Sequence, residues 1–217
     1  MRSSVTLTDT AYQELEERIV TLKLRPGEHL SEGQLAEALA IGRTPVREAL
    51  QRLAREGLIV VIPRRGIAVS EIDIKKQLEL LKVRRELERL MVRLAAERAS
   101  DTERKQFEDI AKGMRSAAKR KDDVAFMRLD RELNRLISET CRNEYAQRAM
   151  ALTHGLSRRF WYVHYKQVLD LPRCAQLHAK LADAIEAERY REAAKASDQL
   201  IDYIEEFTRA SLEASVY

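Results

Sequence analysis

Cysteine is nearly missing from these 217 residues: there are two, Cys141 and Cys174. They lie far apart and match no metal-binding or redox spacing, so free thiols in a reducing cytoplasm are expected. No apolar run approaches the ~18 residues of a membrane span, which excludes a helical membrane protein. The opening MRSSVTLTDT has no apolar core of the kind a signal peptide needs. Glycine and proline are also scarce, at seven and four, so a loop-rich or fibrous chain is excluded. With 45% hydrophobic and 34% charged residues, the composition is that of a soluble and mostly helical protein. A net charge of +4 permits an anionic partner but does not by itself require one.

The few breakers are unevenly spread. Pro26, Gly27, Gly33, Gly42, Pro45, Pro63 and Gly66 fall in the first 70 residues, whereas only Gly113, Gly155 and Pro172 follow Ser70. That shift predicts a boundary near 70 to 75, with a small mixed domain at 1–70 and a helical one at 71–217. In the first, Tyr12, Leu15, Ile19 and Leu22 mark one helix face, capped by Asp9 or Thr10. RPGEH reads as a turn. Ser31 with Gln34 resembles a capping box for a short helix ending at Leu39. A third helix runs from Thr44 to Glu56, with Pro45 in its first turn. Leu58–Ile62 and Ile67–Ser70 read as two strands joined at Pro63-Arg64-Arg65-Gly66. Three helices and then a two-stranded ribbon is the order of a winged helix-turn-helix. After it come amphipathic segments at 71–99, 101–120, 123–140, 143–169, 173–188 and 190–214. Short loops between them imply an all-helical antiparallel bundle. The fold class is therefore mainly α.

The third helix carries a chemical signature. Val46, Leu50 and Leu53 form its apolar stripe, and Arg43, Thr44 and Arg47 fall off that stripe near its front. A guanidinium there can bond bidentately to guanine O6 and N7 or to a phosphate. Helix N-termini add amide donors toward phosphate. Arg52 and Arg55 continue the basic character, Arg64 and Arg65 sit at the ribbon tip, and only Glu48 and Glu56 offset them. The alternative is a solvated basic face with no partner. The coincidence of arginines with both the reading helix and the ribbon favours DNA.

The stretch LKLRPGEHLSEGQLAEALAIGRTPVREALQRLAREGLIVVIPRRGIAV, residues 22 to 69, resembles the head of the GntR superfamily, and RTPVREAL followed by EGL is its most specific part. The resemblance implies a transcriptional regulator, normally a repressor, that binds a pseudo-palindromic operator as a homodimer. By position it implies base and phosphate contacts from Arg43, Thr44 and Arg47. Arg64, Arg65 and Gly66 would belong to a wing reaching the minor groove. Two residues depart from the family's turn. Ala40 stands where glycine is usual, and Gly42 where a serine hydroxyl is usual. Gly33 stands where some relatives carry a DNA-touching arginine, so no contact is assigned to it.

Arg84, Leu87 and Glu88 form an RxxLE pattern that resembles the first long helix of the FadR-type (FCD) ligand domain. Such domains often hold a divalent metal through Asp-xxx-His on one helix and a histidine on each of two later ones. Here the corresponding positions read Asp130, Asn134, His178 and Leu200. Half the ligand set is present, so at most a weakly held divalent metal at Asp130 and His178 is implied. Asp130 shares a stripe with Phe126, Leu133 and Ile137, and His178 with Leu181, Ala182 and Ile185, so both face the core. There an unpaired polar group costs several kcal/mol. They meet each other, a water or a ligand. Arg84, Asp130, Asn134 and His178 are the candidate effector-binding residues, for a small carboxylate. His154 and Arg158, one turn apart near Trp161 and Tyr162, are secondary candidates for a carboxylate clamp.

Three readings follow. The first is a cytoplasmic, dimeric, ligand-responsive repressor. The second is a DNA-binding dimer whose helical domain has degenerated and no longer responds to any ligand. The third, an enzyme, lacks a nucleophile motif, a glycine-rich phosphate loop or a full metal-ligand set.

Overall fold

The computed structural model describes residues 6–64, 66–168 and 170–214, and their side chains except at 165–168 and 212–214. The chain forms two compact units. Met1–Gln77 with Ala151–Tyr165 make the first, and Leu78–Met150 with Lys166–Tyr217 make the second.

The first unit begins with α1 (Leu7–Val20), followed by β1 (His29–Leu30), α2 (Glu32–Leu39) and α3 (Arg43–Arg55), then β2 (Ile59–Ile62) and β3 (Gly66–Val69). Its helices start where side chains can satisfy their first amides. Thr6 and Asp9 form a reciprocal capping box on α1, so the cap lies one turn earlier than the Asp9 or Thr10 expected. Ser31 Oγ accepts from the Gln34 amide at 3.5 Å to open α2. The helix-turn-helix closes on one apolar core. Ala11, Leu15 and Ile19 of α1 meet Leu35 and Ala36 of α2, and Val46, Ala49, Leu50 and Leu53 of α3.

The three strands lie in the antiparallel order β1-β3-β2. β2 and β3 are the expected ribbon, with Ile62 opposite Gly66 across the tip. β1 is an addition within the stretch read as a turn, pairing His29 with Ala68 and Leu30 with Ile67.

Six long helices follow. They are α4 (Ile74–Arg98), α5 (Asp101–Arg120), α6 (Asp123–Thr140), α7 (Glu144–Val168), α8 (Leu171–Glu186) and α9 (Tyr190–Ala214). Their boundaries again follow capping chemistry. Ser100 and Glu103 box the start of α5, and Asp122 and Asp170 cap α6 and α8. The second unit is a helical bundle in which α5 packs on α6 and α8, and α8 on α9. Phe107, Met114, Phe126, Leu133, Leu181, Ile185, Ile201 and Phe207 fill its core. Both cysteines are buried and free.

Residues 151–165 of α7 are built into the first unit. Leu156 packs against the helix-turn-helix core. Gly155 lies so near Leu58 that a Cβ there would stand 2.5 Å from Leu58 Cδ1, so any larger residue would force the buried Leu58 side chain to shift. Arg159, 2% exposed, donates to Ser70 O at 2.8 Å, Ser70 Oγ at 3.0 Å and Glu71 O at 3.2 Å. Arg158 pairs with Glu16 of α1 at 2.6 Å.

Candidate nucleic-acid interface and bundle site

α3 is amphipathic in the way a reading helix must be. Val46, Ala49, Leu50 and Leu53 are buried, and Arg43, Thr44 and Arg47 are exposed at its first two turns. The turn before it is strained at one residue. Ala40 ends α2 with φ 52° and ψ 36°, left-handed values that alanine adopts at a cost of about 1–2 kcal/mol. Gly42 is the N-cap of α3 and offers no side-chain bond to the helix amides.

The arginines of α3 divide into two groups. Arg47 reaches back to α2, where its Nε and Nη2 each lie 3.0 Å from Glu32 Oε2. That pair is largely exposed, so it is weak and exchangeable for a phosphate or base. Arg52 faces the other way. Its guanidinium stacks over the Tyr12 ring at 3.6 Å and donates to Glu56 at 3.2 Å, and Tyr12 OH donates to the same carboxylate at 2.7 Å. Burial raises the Glu56 carboxyl above its ordinary range, against the Tyr12 and Arg52 bonds. Arg52, expected to continue the basic character of α3, is thus also a brace between α1 and α3. Glu48 likewise serves the fold, accepting from Thr8 Oγ1 at 2.7 Å.

At the ribbon tip Arg64 is exposed with φ 64°, and Gly66 has φ 91°. A Cβ at Gly66 would touch nothing, so its backbone conformation alone asks for glycine. Arg65 lies outside the described residues.

In the bundle, α6 and α8 bring three of the four candidate effector residues together. His178 Nε2 lies 3.1 Å from Asp130 Oδ1, and Asn134 Nδ2 donates to the same Oδ1 at 3.1 Å. His178 Nδ1 lies 2.8 Å from the Cys174 carbonyl, which only accepts, so Nδ1 carries a proton. Phe126 meets the imidazole edge-on at 5.2 Å. Burial opposes the imidazolium, but Cys174 and Asp130 outweigh it and hold His178 well above the ordinary imidazole value. Arg84, the fourth candidate, is engaged on its own helix. Its Nε and Nη2 donate to Glu88 Oε1 at 2.8 and 2.5 Å, with both side chains mostly buried. Arg158 is likewise taken up by Glu16.

The chain matches two family models. One is described as bacterial regulatory proteins, gntR family, over residues 7–69, and the other as the FCD domain over 79–203. The chain belongs to the GntR family, in its FCD-bearing branch. It is 26% identical to the HTH-type transcriptional repressor RspR of Escherichia coli, over 91% of this chain and 87% of that protein. It is also 26% identical to YdhC, an uncharacterised HTH-type transcriptional regulator of Bacillus subtilis, over 73% of this chain and 69% of that one. Among solved structures, McbR/YncC of E. coli superposes with a TM-score of 0.79 at 21% identity, covering 96% of this chain and 99% of the other. This GntR-family protein is a DNA-binding transcriptional regulator of FadR type, and the relatives it resembles are named as regulators rather than enzymes.

The described residues of the FCD domain do not bring together the expected metal-ligand set. Among the described residues no group of three or more His, Cys, Asp and Glu side chains is placed to hold a metal ion. Asn134 turns its NH2 toward Asp130, and Leu200 is buried and apolar. Two donors remain, which does not fit a tightly bound transition metal. Among the described residues no helix is long and apolar enough to cross a membrane.

Proposed function

We propose that this protein is a homodimeric, operator-binding repressor whose DNA affinity is set by a small carboxylate bound in the helical bundle. The observation that carries the DNA-reading assignment is the front of α3, where Arg43, Thr44 and Arg47 stand exposed over a fully apolar inner face. In this reading Arg43, Thr44 and Arg47 contact bases and phosphates of a pseudo-palindromic site, and Arg64, Arg65 and Gly66 form the wing. Residues 1–70 read DNA, and 71–217 bind effector and dimerise. A cytoplasmic location goes with operator binding. The test is to select duplex DNA from a random pool with the purified protein and compare affinities. Arg47→Ala lowers affinity by at least ~1 kcal/mol, as for a lost base or phosphate contact; unchanged binding refutes the assignment.

For the effector, the supporting observation is the buried His178 imidazole, held toward its charged form beside Asp130 and Asn134. A carboxylate that competes with Asp130 for this imidazole shifts the protein between two arrangements in proportion to its differential affinity. Adding small carboxylates to the operator complex releases DNA from the wild type but not from His178→Gln. The second reading, an unresponsive dimerisation domain, is favoured by the closure of the site on itself, with Arg84 held by Glu88 and His178 by Asp130. Operator binding indifferent to every carboxylate supports it.

A further inference from the structure

α4 has two apolar faces, and among the described residues only one of them is buried. Leu81, Met91, Val92, Ala95 and Ala96 are buried. On the outer side, Leu80, Val83, Leu87, Leu90 and Leu94 recur at alternating intervals of three and four. This is the spacing of a coiled-coil seam, sustained over five consecutive core positions and about 21 Å of helix. It is not covered: Val83 is 55% and Leu90 42% exposed, and the three leucines between and beside them are half-buried. A stripe of this kind on an otherwise charged helix calls for a matching stripe.

The charges beside the stripe identify the match. Glu86 and Arg93, seven residues apart, occupy the same flanking position in successive heptads, and both are exposed. When two copies of such a helix run antiparallel with Leu87 against Leu90 of the partner subunit, Val83 meets Leu94 of the partner subunit. The same register brings Glu86 beside Arg93 of the partner subunit, and two-fold symmetry repeats each contact. A parallel pairing instead faces Glu86 toward the partner's Met91 and Arg93 toward the partner's Arg98, with no complement. We infer that the outer face of α4 is the homodimer interface, and that the two α4 helices cross antiparallel about a two-fold axis between Leu87 and Leu90. Self-complementarity is what an isologous contact requires. The inference rests on the dimeric reading above and adds to it the surface, the direction and the register.

Sedimentation of the full chain tests it. The wild type runs at twice 25.1 kDa. Val83→Glu with Leu90→Glu raises the dimer dissociation constant at least ~100-fold, as for loss of central interface anchors. Both positions face solvent in the single chain, so helicity by circular dichroism stays unchanged. Glu86→Arg alone weakens the dimer, and Glu86→Arg with Arg93→Glu restores it. Direction is read separately: a mixture of Val83→Cys and Leu94→Cys proteins forms a mixed disulfide dimer under oxidation, while neither alone crosslinks. A dimer untouched by the double glutamate variant overturns the α4 interface and leaves the dimeric reading standing. Crosslinking by Val83→Cys alone overturns the antiparallel register. A wild type that remains at 25.1 kDa at tens of micromolar overturns the dimeric reading itself.

Discussion

Replacing Arg159 tests whether the middle of α7 is structurally part of the DNA-reading unit. The residue is 2% exposed, and burial pulls its pKa down to about 10. From the ordinary 12.5, that drop corresponds to about 3 kcal/mol against keeping the charge in place. The charge persists because three oxygens receive it: Ser70 O, Ser70 Oγ and Glu71 O. Hydrogen bonds to a charged group contribute about 1.5–3 kcal/mol each, which bounds the loss on deletion from above. Water reaching the freed carbonyls lowers it. Arg159→Ala is therefore expected to destabilise the unit by about 3 kcal/mol. Arg159→Lys, which keeps the charge but lacks the planar fork, recovers less than half of that. The assay is urea unfolding followed by fluorescence of the single tryptophan, Trp161, which lies in the same unit. The decisive variant is Arg159→Met, which fills the space without a charge. If it is as stable as the wild type, the three bonds contribute nothing beyond the burial they offset, and the reasoning fails.

Three further outcomes follow from the geometry. Ala40→Gly removes a left-handed alanine and stabilises the head by about 0.5–1 kcal/mol, a rise of roughly 2–8 °C in Tm by calorimetry; a lower Tm would contradict the strain at that residue. Glu32→Gln frees Arg47 and removes a carboxylate beside the proposed DNA contacts, so operator affinity at fixed salt is expected to increase by about 0.5–1 kcal/mol. Weaker binding would mean that Glu32 positions Arg47 for its contact. His178 is held above its ordinary 6.5, so its pair adds stability fully present below pH 6.5 and lost as pH rises through the folded-state value. The stability difference between wild type and His178→Gln, measured by urea unfolding, is accordingly largest in mild acid and shrinks toward alkaline pH.

The helical boundaries were legible because capping is local chemistry. Ser100 with Glu103, Asp122, and Pro172 following the capping Asp170 mark them in the sequence within a residue or two of where the helices begin. That Asp130 and His178 face the core was legible too, because each shares a stripe with core residues, while a stripe leaves open whether the partner is the other, a water or a ligand. What escaped depends on partners distant in sequence. β1 is a strand only because β3 lies beside it, and two residues carry no pattern of their own. Arg52 reads as one more basic residue until Tyr12 and Glu56 are brought beneath it. Arg84 is different: Glu88 stands four residues on, the spacing of a helical ion pair, and that signal was present to be read. Nothing in 151–165 announces that it packs with the head, since an apolar helix face does not name its neighbour.

That last arrangement sets the order in which the protein is completed during synthesis. The first 77 residues leave the ribosome well before Ala151–Tyr165, the segment that finishes their unit. At about 5–20 residues per second, the 73 intervening positions take roughly 4–15 s to make. For that interval Leu58 lacks Gly155 against it, Gly57 lacks Leu156, and the Ser70 and Glu71 carbonyls wait for a guanidinium not yet translated. The nascent head is finished only as the bundle helices are being laid down, so neither part of this regulator reaches its final form far ahead of the other.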